Sequence, residues 1–335
     1  MTGRTIVYLP NWLGDMVMAT PFLHSLRAHV KEELWAIGKN KALQLYNGNS
    51  LFDRFIPYDG KGVVPFLDTV SFIRALNFRD GVILPHSFRS ALLFFAGDVQ
   101  QRIGYARNQR GFMITLKVEE VTRPEPTVEH YLKIIDAMGG TRVLTTPLLE
   151  VTEEEDKRFD EKYVDLNAPY VVFITGAQYG PAKRWPDHYF AELANKIARE
   201  LDMNVYLLPG FGEEELAQKI YQNVEHKKRV FVKVMDIMEL KVCLSRAAAV
   251  VTNDTGPRHI SAALSVPTVV LLGPMDEQYT LYPSSCTYVF SKDVACRPCN
   301  KKRCDKNHVC LTSISPNDVF QKLEEILEVR PSKAH

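Results

Sequence analysis

Residues 250–264 read VVTNDTGPRHISAAL, an apolar run that ends at a polar turn and continues as a helical pattern. In the turn, Thr255 can cap the helix, Gly256 lets a ligand approach the backbone, and Pro257 begins the first turn without an unsatisfied N–H. His259 adds a hydrogen-bond donor at the same end, close to Asp254. Because free amides and the positive end of a helix dipole favour an anion, this pattern predicts a phosphate site. The alternative is an ordinary capped helix with a surface histidine.

The same alternation of β-rich runs and helical patterns extends along the chain and predicts parallel sheets built from βαβ units. Strands are predicted at residues 5–9, 34–37, 54–58, 81–84 and 102–105, and again at 170–175, 204–208, 229–234, 249–252 and 268–272. We therefore expect an α/β protein of two Rossmann-like domains whose parallel sheets face each other across a cleft. The expected bounds are 1–150 for the first domain, 151–168 for a connection, 169–314 for the second domain and 315–335 for a closing helix.

Composition excludes several classes of protein. The 335 residues include 41 Lys and Arg against 40 Asp and Glu, so no global basic field favours nucleic acid, and we expect no nucleic-acid partner. No apolar run is long enough to span a bilayer, and the sequence passes from Met1 directly into the strand-like residues 5–9. We expect a soluble cytoplasmic protein. Six cysteines in a chain of this length do not indicate a disulfide scaffold.

Two further loops follow predicted strands of the second half. Residues 175–186, TGAQYGPAKRWP, place Lys183 and Arg184 just before a helix, where a cation can face a phosphate held by a neighbouring strand. The alternative is a solvated basic loop. Residues 208–216, LPGFGEEEL, place Glu213 and Glu214 at a helix start, where carboxylates stabilise the helix or bind ribose hydroxyls. Three such loops in one domain indicate a nucleotide with phosphates.

A fourth loop lies in the first half. Residues 8–27, YLPNWLGDMVMATPFLHSLR, place Gly14 and Asp15 at the start of a helix. Asp15 is either a favourable first-turn carboxylate or, facing a nucleotide across a cleft, a general-base candidate. The loop lacks the three-glycine fingerprint of dinucleotide binding, which argues against an NAD enzyme.

Four segments together resemble glycosyltransferase family 9, the ADP-heptose:lipopolysaccharide heptosyltransferases. They are NWLGDMVMATPFLHSLR (11–27), SFRSALLFFAG with RIGYARNQRGF (87–112), GAQYGPAKRWPDHYFAELA (176–194) and NDTGPRHISAALSVPTVVLLGP (253–274). The resemblance implies a GT-B fold and inverting transfer of heptose from ADP-L-glycero-D-manno-heptose to the lipopolysaccharide inner core on Kdo–lipid A. It also implies a donor site mainly in the second domain, an acceptor site on the first, and no metal or other cofactor for catalysis.

The resemblance assigns roles to individual residues. Asp15 matches the catalytic base, and Lys183 matches the lysine that contacts the donor phosphate and sugar. The donor-binding set is Thr175, Ala177, Lys183, Glu213, Glu214, Met235, Asp254, Thr255, Gly256 and His259, with Met235 equally explained as core filling. The acceptor carries phosphates and carboxylates, and its candidate contacts are Asn11, His86, Arg89, Arg107 and Arg110. Ordinary surface arginines are the alternative for the last three.

Four cysteines near the C-terminus follow the spacing C-x₂-C-x₄-C-x₅-C: Cys296, Cys299, Cys304 and Cys310. Thiolates at this spacing can hold a structural Zn²⁺ or, less readily, an iron–sulfur cluster, and His308 could replace one sulfur. Two local disulfides or four reduced thiols are the alternatives.

Two rival functions remain at this point. A nucleotide-sugar epimerase would share the two-domain architecture but would need several acid/base residues around one sugar and no lipid acceptor. A non-catalytic nucleotide-binding protein would not need both Asp15 and Lys183 at strand ends. If the chain is a family 9 transferase, membrane contact is expected to be peripheral, at the inner face of the inner membrane, through the lipid substrate. Exposed apolar residues such as Phe94 and Phe95 could add to that contact, or they could belong to the core.

Overall fold

A computed structural model describes residues 3–47, 50–120, 124–164, 166 and 169–328. The end of the predicted connection, residues 167–168, and the end of the predicted closing helix, residues 329–335, lie outside this range. The chain divides into two compact units, one of residues 1–150 with 278–282, the other of 151–277 with 283–335. No described helix has both the length and the apolar character needed to cross a bilayer.

The first unit is a six-stranded parallel sheet in the order β3-β2-β1-β4-β5-β6. Its strands are β1 (Thr5–Tyr8), β2 (Leu34–Gly38), β3 (Arg54–Pro57), β4 (Asp80–Ile83), β5 (Gln101–Tyr105) and β6 (Leu116–Val118). Its helices are α1 (Leu13–Met18), α2 (Thr20–His29), α3 (Asn40–Tyr46), α4 (Val64–Leu76), α5 (Phe88–Ala96) and α6 (Thr127–Ala137). β1 and β4 are buried along their whole length, as expected of central strands covered by helices on both faces.

The second unit repeats this strand order with β12-β11-β10-β7-β8-β9, also parallel throughout. Its strands are β7 (Tyr170–Ile174), β8 (Asn204–Leu207), β9 (Val230–Val232), β10 (Ala249–Asn253), β11 (Thr268–Leu271) and β12 (Thr287–Phe290). Its helices are α7 (Glu153–Lys162), α8 (Asp187–Glu200), α9 (Glu214–Gln222), α10 (Ile237–Arg246), α11 (Gly256–Ala263), α12 (Val309–Thr312) and α13 (Pro316–Glu328). In each unit the strand order reverses beside the first strand, between β1 and β4 and between β7 and β10, which is the arrangement of a Rossmann fold.

The structure differs from the sequence-based expectation at three places. Each sheet gains a short sixth strand, β6 or β12, whose residues are partly exposed and therefore lack a continuous apolar run. The sequence pattern of residues 16–30 predicts one continuous helix, but the structure divides it at Ala19 into α1 and α2. Glu153, Glu154 and Glu155, which lie in the expected connection, instead form the first turn of α7. Thr152 and Glu155 cap the start of this helix as a capping box.

α7 packs into the second unit through a buried ion pair. Glu155 lies 2.8 Å from Lys241 of α10, and both side chains are almost completely buried. Breaking a pair of this kind leaves an uncompensated buried charge, which costs about 3–5 kcal/mol. The segment after residue 150 is therefore tied to the second unit by packing and charge.

Candidate active site

The two loops on either side of the strand-order reversal in the second unit carry the predicted donor residues. β7 and β10 are hydrogen-bonded neighbours in parallel, so both strands end at the same edge of the sheet. β7 leads into residues 175–186, which include Lys183, and β10 leads into Asp254 and Thr255. In open α/β sheets, ligands bind in the crevice at this position.

Asp254 is a buried carboxylate held between two cations. Lys183 Nζ donates to Asp254 Oδ2 at 2.7 Å and to its backbone carbonyl at 2.9 Å, and Arg258 lies 2.8 Å from Oδ1. Burial alone would raise the pKa of Asp254, but Arg258 and Lys183 lower it below its ordinary value. The carboxylate is therefore ionised, and it fixes the lysine at the end of β10. Arg258 is a member of this group that sequence analysis did not single out.

The first turn of α11 differs from the sequence-based expectation in its helix cap. Thr255 occupies the N-cap position, but its side chain does not cap the helix, and its hydroxyl donates to the carbonyl of Asn253 at 3.3 Å. The start of α11 thus has no side-chain cap that would compete with an anion. His259 is buried in the same turn, and burial together with Arg258 lowers its pKa well below the ordinary value. His259 is therefore neutral and can act only as a neutral imidazole.

Asn253 joins the two loops and was not a candidate in the sequence analysis. Its fully buried side chain donates to the carbonyls of Thr175 at 2.8 Å and Gly176 at 3.2 Å, and accepts from the amide of Trp185 at 2.9 Å. Three hydrogen bonds thereby hold both ends of the Lys183 loop against the end of β10. The sequence alone does not show that Asn253 bridges two loops, because that role depends on the pairing of β7 with β10.

Glu213 and Glu214 face different surroundings. Glu213 accepts from the amide of Ala177 at 2.8 Å and from Arg184 at 3.0 Å, whereas Glu214 accepts from the amide of Gly212 within its own loop. A Cβ placed on Gly176 would lie 1.7 Å from Oε2 of Glu213, so glycine is required for this approach. Glu213 is therefore the carboxylate that reaches the Lys183 loop.

Thr175, Met235 and Phe211 also lie near the carboxyl ends of strands in this sheet. Thr175 follows β7, and its buried hydroxyl has no hydrogen-bond partner among the described residues. Met235 is half-buried after β9. Phe211, which sequence analysis passed over, is fully exposed after β8 between two glycines. Because β8 and β9 are neighbours, Phe211 and Met235 follow adjacent strands.

In the first unit, Asp15 lies in the first turn of α1, directly after β1. Its side chain is largely buried and forms no hydrogen bond within the described part of the chain. Burial raises the pKa of Asp15 to about 6, and the nearby cation of Lys41 on α3 partly opposes this effect. A carboxylate with this pKa is mostly ionised at neutral pH yet accepts a proton more readily than an exposed one. Lys41 is a neighbour that the sequence did not reveal.

His86 follows β4, on the other side of the strand-order reversal from Asp15. Its Nε2 lies 3.2 Å from Nε2 of His130, whose Nδ1 lies 3.2 Å from Glu125, and the ring of Tyr105 stacks on His130 at 3.8 Å. Burial, followed by the charges of His130 and two arginines, lowers the pKa of His86 to about 4. His86 is therefore neutral at physiological pH, and Glu125 and His130 are parts of this cluster that sequence analysis missed.

The three predicted acceptor arginines differ in exposure. Arg107 is exposed and paired with Glu120 at 3.0 Å, and Arg89 is half-buried with its guanidinium 4.5 Å from the ring centre of Phe66. Arg110 is fully buried and donates to carbonyls at Tyr105, Pro85 and Ser87. These donors support the loops after β4 and β5, whereas Nη2 of Arg110 is buried and has no hydrogen-bond partner among the described residues. A direct contact of Arg110 with an acceptor stays a prediction. Asn11 is half-buried in the loop after β1.

Phe94 and Phe95 differ in exposure to solvent. Phe94 belongs to the core of the first unit, whereas Phe95 is 45% exposed. The Phe95 ring lies 6.1 Å from that of Phe112, which lies 6.3 Å from that of Phe88. Phe88, Phe95 and Phe112 thus form an exposed aromatic patch on the first unit, and the guanidinium of Arg102 lies above the Phe95 ring.

The four clustered cysteines line one cavity of the second unit. Cys296, Cys299, Cys304 and Cys310 surround a volume of about 60 Å³. All six cysteines of the chain are free thiols in this structure, so no local disulfide forms. Across the described residues, no group of three or more His, Cys, Asp or Glu side chains is arranged closely enough to hold a metal ion. His308, the alternative ligand, does not line this cavity.

Comparison with known proteins gives a consistent result. Lipooligosaccharide heptosyltransferase 2 of Campylobacter jejuni is 26% identical over 97% of this chain and 98% of its own length. Lipopolysaccharide heptosyltransferase 2 of Salmonella typhimurium is 25% identical over the same shares. The structure of Escherichia coli ADP-heptose lps heptosyltransferase II superposes with a TM-score of 0.84 at 24% identity, covering 97% of this chain and 98% of that one.

The likeness to that solved structure shows that the fold is GT-B, in agreement with the two Rossmann-like units described above. The model of glycosyltransferase family 9 (heptosyltransferase) matches residues 70–310, more than two thirds of the sequence. The matched region includes β4 to β12 and every residue of the Lys183–Asp254 group. The chain therefore belongs to glycosyltransferase family 9 and is a glycosyltransferase.

Proposed function

We propose that this enzyme transfers heptose from ADP-L-glycero-D-manno-heptose to the lipopolysaccharide inner core. The acceptor is heptose I of the Kdo–lipid A core, so the product carries the second heptose. The observation that carries the proposal is the ion-paired Lys183–Asp254 group at the strand-order reversal, beside the uncapped start of α11. The names of the Campylobacter and Salmonella relatives support the choice of sugar and acceptor.

The donor diphosphate is assigned to the end of β10. Lys183 supplies a cation there, the amide of Gly256 supplies a donor at the helix start, and neutral His259 supplies a further hydrogen bond. The adenosine extends toward β8 and β9, where Glu213 accepts from ribose hydroxyls. Phe211 and Met235 then flank the adenine, because both follow the two strands on that side.

The reaction is proposed to proceed with inversion and with Asp15 as general base. The acceptor hydroxyl attacks the anomeric carbon from the face opposite ADP, while its proton passes to the Asp15 carboxylate and the bond from the anomeric carbon to the phosphate oxygen breaks. Negative charge then grows on the leaving diphosphate. Lys183, His259 and the α11 amides stabilise this charge, and donors of this kind are worth about 10²–10³ in rate each.

The acceptor is assigned to the first unit, where Arg89 and Arg107 supply cations beyond β4 and β5. The aromatic patch of Phe88, Phe95 and Phe112 lies on the same unit and fits the acyl–headgroup boundary of a bilayer. We propose peripheral contact with the cytoplasmic face of the inner membrane through this patch and through the lipid acceptor.

A panel of nucleotide sugars tests the proposal. ADP release should require both ADP-heptose and a core acceptor that ends in heptose I, and the product should carry one additional heptose by mass spectrometry. Release that is equal with a UDP-sugar, or with an acceptor that lacks heptose I, would contradict the choice of donor or acceptor. Conversion of a sugar epimer without any acceptor would instead indicate an epimerase.

A further inference from the structure

The cavity lined by Cys296, Cys299, Cys304 and Cys310 has the composition of a metal site outside the transfer chemistry. We propose that these four thiolates bind one thiophilic divalent ion, Zn²⁺ or Fe²⁺, and that the ion restrains the loop carrying Lys183. The metal-binding part of the proposal does not depend on the proposed function. The part that concerns donor affinity rests on it.

The surroundings of Cys304 suit a thiolate. The backbone amides of Lys306 and His308 donate to Cys304 Sγ at 3.3 and 3.2 Å, and amide donors to a sulfur ligand are a regular feature of metal–thiolate sites. Four thiolates with one divalent ion leave a net charge of about −2. Three cations line the same cavity, Arg297, Lys301 and Lys306. Asp305 also lines it and pairs with Lys301 at 2.8 Å, so the lining carries a net charge of +2 that offsets the charge of the site.

The sulfur atoms of the described structure do not yet converge on one point. Neutral thiols attract one another only weakly, and unbound thiolates repel, so nothing but an ion would draw four sulfurs together. Convergence to about 2.3 Å from the metal is therefore expected only on binding, because binding and ordering of such sites are coupled.

The backbone that carries these sulfurs is anchored to the second unit. The amides of Cys299 and Asn300 both donate to the carbonyl of Pro274 at 3.0 Å, and Arg297 Nε donates to the carbonyl of Gly273 at 3.0 Å. Cys310 is buried in α12. The ligands thus lie on a scaffold at the carboxyl end of β11, next to the donor side of the sheet.

The segment between Cys299 and Cys304 holds the Lys183 loop directly. The amide of Ala182 donates to the carbonyl of Lys302 at 3.1 Å, and the hydroxyl of Tyr179 donates to the carbonyl of Asn300 at 2.8 Å. A Cβ on Gly180 would lie 2.5 Å from the Lys302 carbonyl oxygen, so the two segments touch through backbone. An ion bound by both Cys299 and Cys304 would fix the backbone of Lys302 between them. The carbonyl of Lys302 would in turn fix the loop that carries Lys183.

Metal content tests the site. The full-length protein is purified without added metal or a metal-affinity tag, titrated with Zn²⁺ or Fe²⁺, and measured by plasma mass spectrometry together with a thiol count. The wild type and Cys286→Ser, whose thiol lies outside the cavity, should each bind about one equivalent. The double variant Cys296→Ser/Cys299→Ser should bind less than about a tenth of that. Absence of stoichiometric metal in the wild type, or equal metal in the double variant, would overturn the proposal.

Hydrogen exchange tests the coupling in wild-type protein, so that failure of a variant to fold cannot confuse the result. Removing the ion with a chelator should speed exchange in peptides that contain the Ala182 amide by at least about tenfold, and re-addition of Zn²⁺ should restore protection. The Kd for ADP should rise about tenfold in the metal-free protein. Unchanged exchange would overturn the coupling. Changed exchange with no ADP binding in either state would instead contradict the proposed donor site.

Discussion

Replacing the proposed base by its neutral isostere, Asp15→Asn, should strongly reduce turnover and stabilise the fold. The carboxylate is largely buried without a hydrogen-bond donor among the described residues, and burial raises its pKa from 3.8 to about 6. A pKa that is higher in the folded state means that folding disfavours the charged form. The difference of about two pKa units corresponds to roughly 3 kcal/mol of unfolding free energy.

The sign of this effect fixes its dependence on pH. Below about pH 4 Asp15 is protonated in both folded and unfolded states, so wild type and Asp15→Asn should be equally stable. Between about pH 4 and 6 Asp15 ionises in the unfolded chain but stays protonated in the folded protein. The wild type therefore loses up to about 3 kcal/mol over this range that the variant keeps, and the difference is constant above about pH 6. For a unit of this size, the variant should then melt roughly 6–12 °C higher at neutral pH.

Differential scanning calorimetry below about pH 4 and above about pH 6, with ADP release measured in parallel, checks both halves of this prediction. Turnover should fall by about 10²–10⁴ while ADP affinity is unchanged, and wild-type kcat/KM should rise with pH through about 6. Asp68→Asn removes an exposed carboxylate of α4 and should change neither quantity. Near-normal turnover in Asp15→Asn would remove Asp15 from the role of base. A lower melting temperature at neutral pH would refute the desolvation argument.

Four other sites give separate tests. Lys183→Ala should lower kcat/KM by about 10² or more, measured by ADP release, because the main cation for the leaving diphosphate is lost. Asn253→Ala removes three buried hydrogen bonds and should cost about 2–4 kcal/mol of unfolding free energy in denaturant titration, with weaker ADP binding by calorimetry. Glu213→Gln should weaken ADP binding, whereas Glu214→Gln should leave Kd within about twofold, and equal effects would contradict the assignment of Glu213 to the ribose. The ring of His86 should stay neutral from about pH 5.5 to 8 in NMR titration, since its pKa is lowered to about 4.

Sequence patterns place a candidate site residue at the correct edge of its sheet where that residue closely follows a strand. Asp254 and Asp15 lie within a few residues of a buried β-run, so the alternation of apolar and turn residues places them at the carboxyl edge of a sheet. Lys183 lies further along its loop, but the loop returns to the same edge because Asn253 holds both of its ends. Ten of the strands were predicted for the same reason, since each is a short apolar run between turns.

Features that depend on distant partners were not predictable. The burial of Arg110 is set by carbonyls at the ends of β4 and β5, and the sequence alone marks it as one of several arginines. Asn253 lies 78 residues from the carbonyl it binds at Thr175. The hydrophilic residues of α7 predict a connection, and the sequence gives no sign of the buried pair with Lys241 that packs α7 against α10.

The charges at the end of β10 explain how a carboxylate is compatible with the proposed site for the donor diphosphate. Lys183 and Arg258 with ionised Asp254 carry a net charge of +1, and His259 adds none because it is neutral. Without Asp254 the site would have more positive charge, but the lysine would lose the two contacts that fix its ammonium group. In the proposed reaction a fixed cation does not have to reorganise when charge develops on the leaving diphosphate, and preorganisation of this kind raises the rate. Asp254 therefore lowers the net attraction of the site for the donor, but it holds Lys183 in position before the bond to the leaving diphosphate breaks in the proposed reaction.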